Sequence, residues 1–268
     1  VKKVLIKNDN DRITKLIMLG NKCREIVNNK NVSEENKILT CNIYKDYIKL
    51  NIKDLINLQG RIYWKNYIER EKDSIIRDLF TGLFLSCIRC TQCFTVSFSF
   101  EPFNILNIPI EESMNDINLD DCFFNFSKKE ILDDSNKYYC KKCKKHVTAE
   151  KQINIWKEPE ILVIQLKRFS GSNYLSKINT NIIYPIENLS ISKLCYNKED
   201  YVYNLSSVVK HYGHLFGGHY KSVSINEINN EWYEYNDDDI YHVLDVNYKT
   251  DIISNAAYIL FYEKKYKQ

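Results

Sequence analysis

Two Cys-x-x-Cys pairs, Cys90/Cys93 and Cys140/Cys143, constrain the fold of this chain more than any other feature of its sequence. Four thiolates in two such pairs are the ligand set of a closed tetrahedral zinc site. The 46 residues from 94 to 139 that separate the pairs exceed the linker of a compact zinc finger. They suit two hairpin tips joined through an antiparallel sheet, because strand-like runs occur at 96–100 and 104–110.

The cysteine count and the surrounding charges agree with a metal site. The chain has nine cysteines, and an odd number argues against a disulfide scaffold and for metal binding or reactive thiols. Lys141, Lys142, Lys144 and Lys145 flank the second pair, and their charge would offset that of a four-thiolate zinc centre. The alternatives are small buried cysteines or a redox pair.

A second cluster of unusual residues lies near the carboxyl end. Residues 211–220 contain three of the five histidines and three of the seven glycines, and Trp232-Tyr-Glu-Tyr-Asn236-Asp237 follows shortly after. The pattern predicts a strand at 220–225, a turn at 226–230 and a second strand at 232–235. Antiparallel pairing about a centre near residues 227 and 228 would set His219 opposite Asn236.

A histidine that faces a carboxamide is the base and its orienting partner in a cysteine-protease triad. His219 would take the proton of a thiol and pass it to the leaving amine, while the Asn236 oxygen fixes the tautomer. Asp237 is expected to be a nearby helper that holds solvent or the developing charge. Gly217 and Gly218, followed by Tyr220, form a loop with room for an extended peptide. The alternative is a loop histidine, a surface asparagine and glycines that merely turn the chain.

The overall composition excludes several classes of partner. With 38 basic and 35 acidic residues the net charge is +3, so neither a nucleic-acid footprint nor a polybasic membrane surface is expected. No stretch approaches transmembrane length, and the apolar run at residues 1–7 is too short for a signal peptide. We therefore expect an intracellular protein, cytoplasmic or nuclear, with no nucleic-acid or membrane partner.

The hydrophobic pattern changes from helical to strand-like along the chain. Residues 64–80 predict a helical region, and a weak capping box at 33–36 precedes another. Apolar residues also recur at helical spacing earlier, at Ile13, Leu16, Ile17, Cys23 and Val27. The near-continuous apolar run at 160–169 is typical of a strand buried on both faces, and 257–262 is similar. Helices followed by a large antiparallel sheet predict the α+β class.

The same residues resemble a known family in order and spacing. The carboxyl half resembles the histidine box of ubiquitin-specific proteases in Tyr203-x-Leu205, Val208-Val209-x-His211-x-Gly213, Gly218-His219-Tyr220, Trp232-Tyr-x-Tyr-Asn236-Asp237 and Ala257-Tyr258. Upstream, the matching motifs are Asp78-Leu-Phe80-x-Gly82, the two cysteine pairs, Phe100-x-Pro102-Phe103 and Leu166-Lys-Arg-Phe169. The resemblance covers roughly residues 64–262, and several motifs in one order are more specific than any alone.

The resemblance implies a papain-like α+β cysteine protease with a palm, zinc-binding fingers and a thumb that is only partly present. Residues 1–80 would be the residual thumb-like helical region, 81–150 the fingers with a connecting palm segment, and 151–268 the palm with the histidine box. The implied activity is a thiol-dependent deubiquitinase that cleaves after the carboxyl-terminal glycine of ubiquitin. The implied partners are ubiquitin and ubiquitinated proteins.

The resemblance also implies roles for particular segments. Structural Zn²⁺ would be held by Cys90, Cys93, Cys140 and Cys143, with Cys87 a neighbour of the site and not a ligand. Residues 212–218 and 170–181 would line the channel for the ubiquitin tail.

The amino-terminal part departs from the family's pattern. Leu19-Gly20-Asn21-Lys22-Cys23 copies part of the cysteine box, but Met18 stands where the asparagine of the oxyanion hole is expected. Cys23 also falls on the apolar face of its helix, where an inert buried thiol is the default. We therefore expect the nucleophile upstream of this chain.

Three hypotheses about function remain open from the sequence. They are a deubiquitinase with its nucleophile elsewhere, a catalytically inactive ubiquitin-binding domain, and a zinc-stabilised scaffold for another partner. Retention of His219, Asn236 and Asp237 favours the first, and the missing cysteine box favours the second. The loop at 217–220 counts against the third.

Overall fold

The computed structural model describes residues 18–19, 21–50, 52–169, 177–198, 201–243 and 252–265. Contacts divide the chain into two compact units, Val1–Asp73 and Ser74–Gln268. The first unit is helical, and the second contains the sheets. Three of the early residues with helical spacing, Ile13, Leu16 and Ile17, lie outside the described residues.

The helical unit contains helix α1 at 21–28, helix α2 at Glu34–Leu50 and helix α3 at Ile52–Glu71. Ser33 caps α2, because its Oγ accepts the Asn36 backbone N–H at 3.4 Å. The helical region predicted at 64–80 is confirmed apart from residues 72–74, which separate two helices. Helix α3 ends at Glu71, Lys72 has a φ of 57°, and Ser74 caps a separate helix α4 at Ile75–Phe80.

The largest sheet forms the palm of the second unit. Its strands run in the order β15-β14-β13-β12-β16-β9-β3, with β11 paired to β12. Their bounds are β3 Leu106–Pro109, β9 Ile161–Lys167, β11 Leu189–Ser190, β12 Val202–His214, β13 Gly217–Asn226, β14 Glu231–Asn236, β15 Asp239–His242 and β16 Ala257–Lys265. All neighbours are antiparallel except β3 and β9. This order places β13 between β12 and β14.

A second sheet of four strands, in the order β2-β1-β8-β5, extends into the fingers. Its strands are β1 Gly82–Cys90, β2 Val96–Phe103, β5 Glu130–Leu132 and β8 Ala149–Lys157, and a separate ribbon pairs β6 Tyr138–Cys140 with β7 Lys145–Val147. Both cysteine pairs therefore lie at hairpin ends, since Cys90 ends β1 and Cys140 ends β6. The expectation that two hairpin tips carry the cysteines is confirmed.

Short elements complete the second unit around its core. They are helix α5 at Leu119–Ser127, a 3-10 turn at Asp134–Asn136, and the parallel pair β4 Ile117–Asn118 with β10 Ile182–Ile183. In strand β9 the consecutive residues Leu162, Val163 and Ile164 are all buried, so both faces of the strand are covered. Each such side chain contributes about 1.5–3 kcal/mol by burial. The predicted α+β class and the doubly buried strand are confirmed.

A membrane-spanning helix is not found within the described parts of the chain.

Candidate active site and metal centre

His219 lies on strand β13 and is held by strand β12 alongside it. The ladder pairs Tyr212 with His219 and His211 with Tyr220, and the hairpin reverses between His214 and Gly217. Gly213 has a φ of +113°, a backbone conformation that a side chain would strain. The tight β12–β13 hairpin therefore presents His219 at its exposed end, and the His219 side chain is 46% exposed.

Asn236 ends strand β14, and the register of this strand differs from the sequence expectation. The β13–β14 ladder ends at Ser222 opposite Tyr235, so its continuation would set Lys221, not His219, opposite Asn236. The expected register was wrong by two positions, because the turn closes with the Asn230 N–H bonded to the Asn226 carbonyl. A shift of two keeps the side chains on the same face. His219 is therefore a diagonal neighbour of Asn236.

The two side chains meet across this diagonal. His219 Nε2 lies 2.6 Å from Asn236 Oδ1. A carboxamide oxygen can only accept, so this contact requires the proton on Nε2. The Nδ1 lone pair then remains available to accept a proton from another group. The arrangement is that of an oriented general base.

Asp237 stands beside the pair. Its Oδ2 lies 4.0 Å from His219 Nε2, and its side chain is 79% exposed. Asp237 has a φ of 52° and leads the turn from β14 to β15, in which Asn236 pairs with Asp239. At this distance and exposure the carboxylate can attract a protonated ring through solvent but does not replace Asn236 as the hydrogen-bond acceptor.

Aromatic rings pack around His211 in the β12–β13 hairpin. The ring of His211 lies 4.7 Å from that of Tyr220, 5.5 Å from Phe169 and 5.9 Å from Tyr258, measured between centroids. His211 is buried, and its burial, followed by the charge of Lys177, lowers the pKa of its imidazole. His211 therefore packs as a neutral ring.

The two glycines before His219 differ in their surroundings. A Cβ on Gly218 would collide with His211 Nε2 and the Tyr212 carbonyl oxygen, so this space is filled by the hairpin itself. Among the described residues, a Cβ on Gly217 would meet only the His214 ring, with Cε1 at 3.4 Å and Nε2 at 4.0 Å. Gly218 is thus required for packing, whereas the side of Gly217 is open. Tyr220 is half exposed beside them.

Arg168 is a residue whose role the sequence reasoning missed. It is fully buried, and its guanidinium donates to the Ala257 carbonyl at 2.6 Å and to those of Ile178 and Thr180, each at 2.9 Å. Burial lowers its pKa to about 10. Arg168 thereby ties the end of β9 to the start of β16 and to the segment after residue 176. An arginine at the end of a buried apolar strand was the available signal.

The four predicted zinc ligands converge at the tip of the fingers. The sulfurs of Cys90, Cys93, Cys140 and Cys143 all lie within 4.8 Å of one another. The Cys90–Cys143 and Cys93–Cys140 pairs are 3.9 and 3.5 Å apart. Four thiolates at about 2.3 Å from a tetrahedral zinc ion would be about 3.8 Å apart, so the cluster has the dimensions of a four-thiolate zinc site.

Local hydrogen bonds shape each cysteine pair as a ligand. The Cys93 and Cys143 backbone N–H groups donate to Cys90 Sγ and Cys140 Sγ at 3.4 and 3.5 Å. Hydrogen bonding with Thr95 lowers the pKa of the Cys93 thiol to about 6, while hydrogen bonding with Cys93 raises that of Cys143 to about 12. A divalent cation bound by the four sulfurs would displace the thiol protons. The structure can hold a metal ion at this position.

Comparison with known proteins gives the same family as the motifs. The family model described as "UCH: Ubiquitin carboxyl-terminal hydrolase" matches residues 10–262. This chain belongs to the ubiquitin carboxyl-terminal hydrolase family. The match includes both the cysteine cluster and the His219–Asn236 hairpin.

Curated relatives in the ubiquitin carboxyl-terminal hydrolase family extend well beyond the matched region. Ubiquitin carboxyl-terminal hydrolase 2 of Gallus gallus is 35% identical over 208 residues, which cover 76% of this chain and 57% of the relative. Ubiquitin carboxyl-terminal hydrolase 12 of Saccharomyces cerevisiae is 40% identical over 155 residues, which cover 56% of this chain and 12% of the relative. The chain thus spans less than two thirds of either relative.

Solved structures of the ubiquitin carboxyl-terminal hydrolase family share this fold. The Ubp8/Sgf11/Sus1/Sgf73 DUB module bound to ubiquitin aldehyde matches with a TM-score of 0.64 and 26% identity, covering 84% of this chain and 50% of that one. The SAGA DUB module bound to monoubiquitin matches with a TM-score of 0.63 and 27% identity, covering 85% and 49%. The papain-like palm and fingers are confirmed.

The departure from the ubiquitin carboxyl-terminal hydrolase pattern concerns Cys23. Cys23 lies in α1 and is buried, and desolvation, followed by a hydrogen bond with Cys41, raises the pKa of its thiol. A raised pKa disfavours the thiolate that a nucleophile needs. Burial likewise raises the pKa of Cys87, which stands outside the four-cysteine cluster.

Proposed function

We propose that this chain contributes the zinc-binding fingers, the palm and the general base of a thiol-dependent deubiquitinase, which cleaves the isopeptide bond after the carboxyl-terminal glycine of ubiquitin. The observation that carries the proposal is the 2.6 Å contact between His219 Nε2 and Asn236 Oδ1. It leaves Nδ1 as the only ring nitrogen that can accept a thiol proton. Membership of the family and the ubiquitin-bound neighbours support the substrate class.

The chemistry assigns a task to each residue of the hairpin. His219 Nδ1 accepts the proton of a cysteine thiol, and the thiolate attacks the carbonyl of the isopeptide bond. The imidazolium then donates this proton to the departing lysine amine, and a water deprotonated by the neutral ring hydrolyses the thioester. Asn236 holds the ring through Nε2, and Asp237 at 4.0 Å favours the transient positive charge.

The nucleophile in this proposal is a cysteine outside these 268 residues. Cys23 is buried, its thiol pKa is raised, and Met18 replaces the asparagine expected beside it. Cys90, Cys93, Cys140 and Cys143 are engaged with one another at the fingers. A separate cysteine in a longer protein would complete the triad.

The cysteine cluster is proposed to hold structural Zn²⁺. The sulfur spacing matches tetrahedral coordination, and such a closed set of four thiolates leaves no position for a substrate. When bound, the ion supplies folding energy to the fingers and takes no part in the hydrolysis.

The loop at 212–218 is proposed to receive the extended tail of ubiquitin. Gly217 presents an open side, Phe216 is 79% exposed at the hairpin tip, and Tyr220 lines the adjacent surface. Ubiquitinated proteins are then the partners. We propose that the protein is intracellular, cytoplasmic or nuclear, and the nine free cysteines support this proposal.

A second candidate is a ubiquitin-binding domain without catalysis. Two observations favour it: Cys23 is buried, and Met18 stands where the asparagine of the oxyanion hole is expected. In that case the fingers and palm bind ubiquitin, and His219 has no thiol to activate.

One assay separates the two candidates. Ubiquitin with a fluorogenic carboxyl-terminal leaving group is incubated with the 268-residue chain and with a longer protein that includes an upstream cysteine box. We expect binding by both and hydrolysis only by the longer protein, with His219→Gln abolishing that hydrolysis. No hydrolysis by the longer protein supports the binding domain. Turnover by the 268-residue chain that Cys23→Ala abolishes would show that Cys23 is the nucleophile.

A further inference from the structure

His219 and Asn236 lie on strands whose ends are hydrogen-bonded to different neighbouring strands. His219 pairs with Tyr212 on β12, and Asn236 pairs with Asp239 on β15. The β13–β14 ladder stops at Ser222 opposite Tyr235, one residue before Asn236 and three residues after His219. Backbone pairing between β13 and β14 therefore ends before it reaches either residue. Side chains must set how closely the two strand ends approach.

Glu234 is the charged group that links these strands next to the contact. Its Oε1 lies 3.1 Å from Lys221 Nζ on β13, and its Oε2 lies 3.7 Å from Lys210 Nζ on β12. The Glu234 and Lys221 side chains are 24% and 28% exposed, and that of Lys210 is 4% exposed. Ion pairs between partly buried side chains are screened less by salt than ion pairs on the surface.

The three charged residues lie on the same face as the catalytic contact. Side chains two positions apart on a strand share a face, so Glu234 neighbours Asn236 and Lys221 neighbours His219. Lys210 is directly opposite Lys221 in the β12–β13 ladder. The Glu234 carboxylate thus links β14 to both β13 and β12, next to His219 and Asn236 on the same face.

We propose that Glu234 is a positioning residue that uses Lys221 and Lys210 to hold the end of β14 where Asn236 reaches His219. The inference rests on the proposed function, because it assigns Glu234 its role through Asn236. It adds a role for three residues that touch neither the thiol nor the substrate. A carboxylate with one oxygen for each lysine fixes the lateral position of β14 as well as its register.

The tautomer of His219 provides a test that requires no nucleophile. Ring nitrogen-15 shifts of the purified 268-residue chain are recorded for the wild type, Asn236→Ala, Glu234→Gln, Lys221→Met and the control Glu231→Gln. Glu231 is a matched control, since it lies on β14 and pairs with His242 at 3.4 Å. His219→Gln assigns its signals among those of the five histidines.

We expect the wild-type shifts to show His219 protonated on Nε2. Asn236→Ala and Glu234→Gln should both move them toward the mixed tautomers of a free imidazole. Lys221→Met should move them less in the same direction, because Lys210 remains, and Glu231→Gln should leave them at wild-type values. Lys221→Met also serves if Glu234→Gln does not fold.

Two other outcomes would overturn the inference in distinguishable ways. If Glu234→Gln and Lys221→Met reduce thermal stability but leave the His219 shifts unchanged, the network is only structural, and the proposed function stands. If Asn236→Ala itself leaves the shifts unchanged, Asn236 does not orient His219, and both the proposed function and the role of Glu234 fail.

Discussion

At the residue scale, the glycines before His219 serve different purposes although they are adjacent. Gly218 is packed by His211 and the Tyr212 carbonyl, and Gly217 faces open space beyond His214. The first arrangement packs the β12–β13 hairpin, and the second leaves open the side on which the proposed ubiquitin tail would lie. Substitutions at the two positions should therefore separate stability from binding.

Gly218→Ala should destabilise the protein by about 1–3 kcal/mol, because the added methyl must displace His211 or the hairpin backbone. Gly217→Ala should change the free energy of unfolding by less than about 0.5 kcal/mol. Urea denaturation followed by fluorescence measures both. Gly217→Val should lower the affinity for ubiquitin at nearly unchanged stability, and unchanged affinity would place the tail elsewhere.

His211 gives the protein a pH dependence that can be assigned to one residue. Its pKa is lowered in the folded protein, whereas an unfolded histidine titrates near 6.5. As the pH falls through about 6.5, the unfolded chain gains a proton that the folded chain resists, so stability falls. Melting temperatures between pH 8 and 5 should decrease toward low pH. His211→Gln should flatten this slope, and the exposed control His242→Gln should retain it.

The sequence predicted that His219 and Asn236 would lie on one face of the sheet, but it did not predict the register of their strands. The alternation of side chains along each strand predicted that His219 and Asn236 share a face. The register error of two positions did not change this, because a shift of two residues keeps a side chain on the same face. The error came from the turn, whose closure by Asn226 and Asn230 cannot be read from residue preferences alone. The position of Arg168 at the end of a buried apolar strand indicated a buried role, but its acceptors lie on other segments, and no local pattern reveals which carbonyls they are.

At the element scale, the fingers depend on their cysteines more than on apolar packing. The buried cluster at the fingertip consists of Cys90, Cys140 and Val147, with Tyr138 and the other two cysteines partly buried against it. Such a cluster buries too little apolar surface to offset the entropy of ordering the ribbon. A bound metal ion would supply the difference.

Purified protein should contain one zinc ion per chain by elemental analysis. Cys143→Ser or a strong chelator should lower the melting temperature and unfold the fingers, since loss of one ligand opens the site. Cys87→Ser is the matched control and should retain the metal, because Cys87 lies in β1 outside the cluster. Protein without stoichiometric metal would contradict the assignment.

Elements with a strong apolar pattern were predictable, and those set by local backbone geometry were not. The run at 160–169 gave strand β9, because consecutive buried residues cover both of its faces. The helical region expected at 64–80 is divided into two helices at residues 72–74, where Lys72 has a positive φ. Ile75 and Ile76 in the second helix, α4, are exposed. The break between α3 and α4 could not be predicted from the apolar pattern, because the helical periodicity continues across it.

At the scale of the whole molecule, buried apolar residues are distributed very unequally between the two units. The main core cluster draws all its buried members from residues 103–262. In the described part of the helical unit, the buried hydrophobic residues are Cys23 and Ile56. Since the entropy of ordering a residue must be offset by burial, we expect the second unit to fold independently, whereas the described part of the first unit buries too little apolar surface to do so.

Residues 74–268 alone should therefore unfold cooperatively and bind stoichiometric zinc, whereas residues 1–73 alone should lack a cooperative transition. Starting at residue 81, the boundary expected from the sequence, should cost about 2 kcal/mol, because α4 packs against β9 and half-buries Leu79 and Phe80. Circular dichroism during urea titration measures each fragment. Equal stability of fragments 74–268 and 81–268 would place the boundary after α4, and a cooperative transition in residues 1–73 would show that buried apolar area does not determine which unit folds.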